Sequence, residues 1–553
     1  MAYAVTQGCC NDATCVAVCP VNCIHPTPEE RAAGGVGDSA SEMVFIDPSG
    51  CIDCGACADA CPTGAIVPVD LLRGPDVVFA DLNRAYFEAH PESATWDALT
   101  FPTTVPQAFG ELRVAVVGTG PSAAYAARAL LTSSPAHVTM IDRLPVAGGL
   151  LRSGVAPDHP GTKRIEDTFA WTYDHLRVDV ALNVEVGADV THEDLLAHHH
   201  AVVYAVGAAQ DKRLGIPGEE LDGSLSAAEV VAWYNAQPDR EHRVVDLSSE
   251  RVVVLGNGNV ALDVARVLLG DPDDLARTDV ADHALAVLRR SAVREVVVVG
   301  RRGPDDAAYS RAELVGMRTL PGVDLVVEDH PRTAAVVDGA PVGSKAALLR
   351  DIPRVALDTA AAPAPGKRVV LAFWSTPVAY EGETTVTGVR LRDGDAERVL
   401  STELAVRAIG YRATPVPGLP FDEATATVPN DRGRVLGPDG APVPGTYVVG
   451  WVKRGSRGGI GANRACAQET VAALVEDASA DRLPVPRRSA RDFAALLKRR
   501  RPDTVGLRGM RAIDRAERLA GAAQGRPRRK LATVPELLEA ATAARRRRRR
   551  RVS

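Results

Sequence analysis

The chain has 553 residues, 46% of them hydrophobic and 24% charged, with a formal net charge of −6. These values are ordinary for a globular protein of about three to four domains, and the charge is too mild to imply a partner for the whole chain. No run of about 18 apolar residues occurs, so no membrane span is predicted. The amino terminus lacks a basic stretch and an apolar core, which predicts no export signal and a cytoplasmic location.

Residues 1–70 form the first predicted unit. Nine of the ten cysteines lie between Cys9 and Cys61. A disulfide scaffold, a zinc site and iron–sulfur clusters all use such clustering. Without an export signal the thiols stay reduced, which favours metal ligation. Cys51, Cys54 and Cys57, followed by Cys61-Pro62, reproduce the spacing of bacterial iron–sulfur clusters. Three thiolates two residues apart let a tight loop wrap three corners of a cubane, while Pro62 turns the chain away so that Cys61 reaches another cluster. Cys15 and Cys19-Pro20 mirror this run, so Cys19 completes the 4Fe-4S cluster of Cys51, Cys54 and Cys57. The upstream run, Cys9-Cys10-x4-Cys15, departs from the regular spacing and resembles that of seven-iron ferredoxins. That resemblance implies a second cluster of the 3Fe-4S type on Cys9, Cys15 and Cys61, with Cys10 spare; a ligating Cys10 would make it 4Fe-4S. Cys23 is a non-ligand in this reading. Zinc is the competing metal, but zinc sites need no trailing Cys-Pro pairs. Cys466 stands alone and reads as a packing residue.

Residues 71–110 show no clear periodicity and are predicted to be a linker. Arg113-Val-Ala-Val-Val117 is a buried-strand pattern that runs into Gly118-Thr-Gly120-Pro-Ser122-Ala123 and an Ala-rich helix. That context marks a dinucleotide loop: Gly118 for the tight turn, Gly120 for close approach of a pyrophosphate, Ala123 for helix–strand packing. Asp142, ending the next strand, is placed to accept from a ribose, and FAD is the predicted ligand. Gly256-Asn257-Gly258-Asn259-Val260-Ala261 repeats the pattern without a partnering acid. Instead the strand Val296–Val299 ends in Gly300-Arg301-Arg302-Gly303, whose guanidinium groups suit the 2′-phosphate of NADP(H). Residues 270–293 read as an insertion before that strand. Beyond about 485 the chain is rich in Arg, Ala and Pro and ends in Arg545–Arg551; residues 534–544 are predicted helical and the rest of 486–553 disordered.

From about 110 to 475 the chain resembles the adrenodoxin reductase type of ferredoxin–NADP reductase. Besides the two glycine loops, the resemblance is carried by Gly149-Leu150-Leu-Arg152-Ser-Gly154-Val-Ala-Pro157-Asp158-His159-Pro160, Asp263-Val-Ala-Arg266 and Gly450-Trp451-Val-Lys453-Arg454-Gly455. The whole resembles a bacterial fusion of a dicluster ferredoxin with this reductase. The implied fold is α/β, with two Rossmann-like domains for FAD (111–208 and 403–485) and NADP (209–402), preceded by a small α+β ferredoxin-like iron–sulfur domain. The resemblance implies FAD contacts at Ser122, Asp142, Leu150, Val186, Trp451, Gly458, Gly459 and Ile460. It implies NADP contacts at Asn257, Gly258, Asn259, Val260, Arg301, Arg302, Glu313 and Gly458. His159 is implied to assist hydride or proton handling; the plainer alternative is a structural histidine in a turn. The family carries an acid three positions after the match to Glu313, where this chain has Gly316. Gly459 and Gly461 predict a looser flavin-side loop. The implied activity is transfer of hydride from NADPH to FAD and of single electrons onward to clusters and an external acceptor, such as a ferredoxin or a haem monooxygenase system, or the reverse. A glutamate-synthase-like electron-input subunit is the competing enzyme, disfavoured by the Ala-Pro-Asp-His-Pro block. Nucleic-acid or acidic-surface binding through the arginine run is the second alternative, against a solvated tail.

Overall fold

The computed structural model describes residues 2–33, 42–91, 110–240, 245–341, 344–359 and 362–552. Two seven-stranded sheets dominate it. In the first, Val178–Leu182, His137–Asp142, Arg113–Val117, Ala201–Tyr204 and Pro442–Val448 run parallel in that spatial order. Two antiparallel strands, Arg434–Leu436 and Asn430–Asp431, complete its edge. The second sheet is wholly parallel: Ser224–Ser226, Leu404–Arg407, Arg251–Leu255, Glu295–Val299, Lys367–Ala372, Val323–Glu328 and Arg354–Val355. Parallel strands covered on both faces bury every position, which is why Arg251–Leu255 and Glu295–Val299 read as valine runs and are buried throughout. The helix Pro121–Ser133 packs its alanines and Leu130 against Ala467, Val471 and Leu474 of the helix Ala462–Ser479. Each fully buried leucine there contributes about 2 kcal/mol.

Leu404–Arg407 corrects the expected border of the flavin region at 403. This strand neighbours Arg251–Leu255, with Val252 opposite Leu404, so the chain returns to the first sheet only afterwards. An apolar strand pattern does not say which of two similar sheets it joins. The expected insertion at 270–293 folds as two short helices, Pro272–Leu275 and Asp282–Leu288.

The amino-terminal module is built from two short antiparallel pairs, Tyr3–Val5 with Ile66–Pro68 and Ile24–His25 with Phe45–Ile46. Its two cysteine runs are internally symmetric. Each enters a five-residue helix, Thr14–Val18 or Ala56–Ala60, through a left-handed residue, Ala13 (φ 55°) or Gly55 (φ 75°), and leaves it at Cys19 or Cys61. The linker expectation holds no further than the ends of Val78–Ala89, which is a helix with buried Phe79, Leu82, Asn83 and Ala85. Asn83 ties the two strand pairs together: its Oδ1 accepts from Val5 N (3.2 Å) and Ile46 N (2.8 Å), and its Nδ2 donates to Val5 O (3.0 Å). The remainder of the expected linker, 92–109, lies outside the described residues.

The expectation of disorder over 486–533 is also corrected. Helices Ala490–Arg500 and Leu507–Ala522 pack on the first sheet's domain, and a third helix spans Val534–Val552. The arginine-rich composition misled because several of these charges are buried and paired rather than solvated. Buried Glu517 receives Arg152 through two bonds (2.6 and 2.8 Å) and Arg528 (3.2 Å). Buried Lys530 reaches Asp279 (3.0 Å) and Asn235 (2.8 Å). No helix among the described residues is long and apolar enough to cross a membrane.

Candidate functional site

Gly118 follows the strand Arg113–Val117 with φ +113°, and a β-carbon on it would lie 2.5 Å from the Ala205 carbonyl. Gly120 caps the helix Pro121–Ser133 and faces Gly149, itself at φ +51°. The helix's free N–H groups thus open onto a surface bare of side chains, which suits an anion. Asp142 fixes this loop. Its Oδ2 accepts from the Thr119 N–H (2.9 Å) and hydroxyl (2.6 Å), and its Oδ1 from Leu144 N (3.0 Å). Burial nevertheless raises its carboxyl above the ordinary range, against the hydrogen bonds from Thr119 and Leu144. A carboxylate offers about four acceptor positions, so one remains for an incoming hydroxyl. Ser122 donates to Asn463 (2.7 Å). Trp451 stacks on Tyr411 at 5.6 Å and donates to the Gly458 carbonyl (3.3 Å). Gly458 is left-handed (φ +76°), with Gly459 and half-buried Ile460 next in the same loop. Leu150 opens the helix Leu150–Ser153 and is 38% exposed, and Val186 is half-buried beside Val190. Asn463, Tyr411 and Gly149 had no assigned role in the sequence. Cys466 accepts from Gly450 N (3.3 Å).

The second glycine loop repeats the first one's turn. Gly256 (φ +117°) abuts the Ala408 carbonyl, and Gly258 caps the helix Asn259–Leu269. Asn257 and Asn259 accept from the backbone of Ala308 (3.4 Å) and Ser310 (2.8 Å), fastening the loop to the following segment, with Val260 half-buried. Arg301 and Arg302 are both exposed at the end of the neighbouring strand; Arg302 has a loose 3.5 Å ion pair with Asp306.

The two nucleotide-type units meet at a charged junction that brings His159 and Glu313, both singled out in the sequence, together with Asp158, Asp263 and Arg266, which had no assigned role. Arg266, on the helix of the second loop, pairs with Asp158 from the first unit, with Asp263 (2.5 Å) and with Glu313 (3.2 Å). His159 Nε2 lies against Arg266, 3.2 Å from Asp263 and 3.7 Å from Glu313. Burial and Arg266 lower the imidazole's pKa, but Glu313 and Asp263 outweigh them and leave it raised above its ordinary value. The His159–Asp263–Glu313 set has metal-ligand spacing, yet the Arg266 guanidinium already compensates its carboxylates. For Asp263 and Arg266, the i, i+3 spacing within the quoted Asp263-Val-Ala-Arg266 block was a signal of their pairing available in the sequence.

All ten cysteines are free. Cys19, Cys51, Cys54 and Cys57 line one small cavity with Val21 and Ile52. Cys61 lies close enough to raise the thiol pKa of both Cys9 and Cys15, and Cys9 that of Cys15. Burial pushes the thiols of Cys9 and Cys57 up to about 11 and those of Cys10 and Cys15 well above their usual value. Thiols held this way ionise only against a compensating cation, so Cys9, Cys15 and Cys57 suit metal ligation. Cys10 packs instead in the core of the first sheet's domain, as does Tyr125. The expected looseness of the flavin-side loop is not what Gly461 provides: its N–H donates to the Cys10 carbonyl (2.9 Å), so it is a point of close approach to the cysteine module.

A family model described as pyridine nucleotide-disulphide oxidoreductase matches residues 112–302, and one described as 4Fe-4S binding domain matches residues 44–67. A probable ferredoxin/ferredoxin–NADP reductase of Mycobacterium tuberculosis is 46% identical over 98% of this chain and 95% of its own. Its Mycobacterium leprae counterpart is 44% identical over 98% of both chains. The solved structure of Mycobacterium tuberculosis FprA in complex with NADPH shares 40% identity and a TM-score of 0.71, covering 78% of this chain and all of that one. With an α/β nucleotide-binding body and an amino-terminal iron–sulfur segment, this chain is an oxidoreductase that belongs to the ferredoxin/ferredoxin–NADP reductase family.

Proposed function

We propose that the chain catalyses ferredoxin–NADP(+) oxidoreduction, with its own amino-terminal module as the first recipient of electrons and an external one-electron protein as the last. FAD, when bound, takes the two electrons of a hydride from NADPH and releases them singly to clusters that accept one each. The observation that carries this reading is the junction at His159. There the unit bearing the Gly118 loop and the unit bearing the Gly256 loop are joined by Asp158–Arg266 and His159–Asp263, which fixes the two nucleotide-type units against each other.

The protein's part is to bind, orient and balance charge. The Gly118 loop and Thr119 hold a pyrophosphate and Asp142 a ribose hydroxyl. Ser122, Leu150, Val186, Trp451 and the 458–460 loop line the flavin. Asn257, Gly258, Asn259 and Val260 hold the second pyrophosphate, and Arg301 and Arg302 take the 2′-phosphate by charge-assisted bonds. Glu313, which pairs with Arg266 (3.2 Å), and Gly458 complete the NADP contacts of this reading. His159, whose pKa Glu313 and Asp263 raise, is the side chain at the junction able to hold or pass a proton. Cys19, Cys51, Cys54 and Cys57 hold the 4Fe-4S cluster. Cys9, Cys15 and Cys61 hold a 3Fe-4S cluster, a reading supported by the burial of Cys10 in the other domain's core. The test is anaerobic titration of the purified holoprotein with NADPH and with NADH. NADPH should bleach the flavin first and then bring up the reduced-cluster signal in low-temperature EPR, with NADH far weaker. Zinc in place of acid-labile sulfide, or a colourless protein, would reject the proposal.

A further inference from the structure

The cysteine module does not hang from the reductase; it is seated in it, and two glycines make the seat. Gly461 immediately precedes the helix Ala462–Ser479. A β-carbon there would overlap the main chain of Asn11 and Asp12. Main chain cannot swing aside as a side-chain tip can, so only glycine admits the Cys9–Cys15 loop. Arg464 then donates to the Asp12 carbonyl (3.1 Å) and to the Thr14 hydroxyl (2.7 Å). On the other nucleotide domain, the Gln7 side chain fills the space that a β-carbon on Gly316 would take. Ala312 and Val315 on the same helix are 5% and 3% exposed and belong to the module's own apolar core, with Val5 and Phe45. Buried Glu42 of the module accepts from the Arg311 backbone (3.3 Å). The charges also match: residues 1–91 carry twelve acidic and three basic side chains, and they meet the reductase at Arg311, Arg464 and Arg164, which donates to the Thr63 carbonyl (2.9 Å).

Resting on the electron-transfer reading above, we propose that Gly461 is the docking socket that, with Gly316 leaving room for the Gln7 side chain, fixes the cysteine module in one seat across both nucleotide domains, with the Cys9–Cys15 loop innermost and the Cys51–Cys57 loop outermost. The inner loop lies on the helix that follows the flavin-side loop, and its Cys10 packs in the flavin domain's core. The outer loop presents Ile52, 59% exposed, and exposed Cys54 to solvent. A fixed seat gives the electrons one order: flavin, inner site, outer site, external acceptor. Per NADPH oxidised to NADP(+), two electrons leave to two one-electron acceptors and one proton is released. Gly316 and Gly461 are positioning residues in this scheme.

The test is hydrogen–deuterium exchange on the full-chain holoprotein, comparing wild type with Gly461→Val and Arg464→Ala. Arg464→Ala removes two contacts without adding bulk, and it carries the test if Gly461→Val does not fold. Peptides covering residues 8–16 should exchange about tenfold faster in the variant, the equivalent of ~1.4 kcal/mol of local protection, while those covering 50–60 stay at the wild-type rate. Gly316→Glu, which expels Gln7, should do the same for residues 3–8. Free exchange of residues 8–16 already in the wild type, or no change in the variants, would overturn the proposal. Loss of NADPH-driven flavin bleaching with the expected exchange pattern would reject the electron-transfer reading instead and leave the seat standing.

Discussion

The two glycine loops share a backbone and differ in how tightly the protein holds them. Gly118 and Gly256 have nearly the same φ, +113° and +117°, and each presses on a carbonyl of the next strand's end. Around the first loop the polar groups are knit inward. Asp142 spends three acceptor positions on Thr119 and Leu144, Tyr173 donates to the Thr119 carbonyl (2.7 Å), and Ser122 reaches Asn463 across the domain. Around the second the specificity groups point outward, with Arg301 and Arg302 both exposed. The first arrangement suits a ligand that stays; the second suits one that comes and goes, because exposed guanidinium groups form their bonds only when a phosphate arrives. The same turn thus serves a resident cofactor or an exchanging substrate, according to what surrounds it.

The sharpest way to break the comparison is to give both loops the same injury. Gly118→Val and Gly256→Val each force a branched side chain into left-handed backbone against a carbonyl, at a cost of about 3 kcal/mol or more. Gly118→Val should yield colourless, poorly folded protein. Gly256→Val should stay yellow and lose NADPH binding. Absorbance of the purified variants and a thermal melt separate the two; equal flavin loss from both would erase the distinction. Next in size is Arg301→Ala combined with Arg302→Ala. Losing charge-assisted bonds to a phosphate should raise the KM for NADPH roughly 100-fold and leave the KM for NADH unchanged. The outward-facing arginines predict no change in melting temperature without nucleotide. Smaller again is Asp142→Asn. The amide keeps the shape but loses the charge that Thr119 and Leu144 donate to, so flavin release should quicken about tenfold, for roughly 1.4 kcal/mol. Dialysis followed by flavin absorbance measures it.

Both loops were legible in the sequence, because a turn that only glycine can make leaves a fixed spacing between a valine strand and an alanine helix. The second cysteine run was legible too, its spacing dictated by the size of a cluster; Asp142 was singled out for a ribose, and the structure adds the hydrogen bonds it accepts from Thr119 and Leu144. The junction was legible only in part: His159 and Glu313 were singled out, but Asp158, Asp263, Arg266 and Glu313 come from three separate segments, and nothing in their local pattern says that one guanidinium will gather them. The carboxy-terminal helices were missed because composition counts arginines without showing their partners, and Glu517 is buried precisely where Arg152 and Arg528 converge. Gly461 was seen, yet as a source of looseness. Its reason lies 450 residues upstream in Asn11, a distance over which local sequence carries no information.

His159 sits where the two nucleotide-type units meet, and its titration tests whether they act as one site. Burial and Arg266 oppose its charge, while Glu313 and Asp263 sustain it and prevail, so the folded-state pKa lies above the ordinary value near 6.5. A group shifted upward stabilises the fold fully below its unfolded value, and that stabilisation is lost as pH rises through the folded value. In His159→Gln the junction keeps a hydrogen-bonding side chain but cannot carry the proton. The wild type's advantage in melting temperature over His159→Gln should therefore be largest at mildly acid pH and shrink steadily as the solution becomes alkaline. The rate of NADPH-driven flavin bleaching should lose, in the variant, the pH dependence that the imidazole confers over the same window. A constant melting difference with an unchanged rate profile would make His159 a packing residue of the turn, and the junction would then join two domains without serving the chemistry between them.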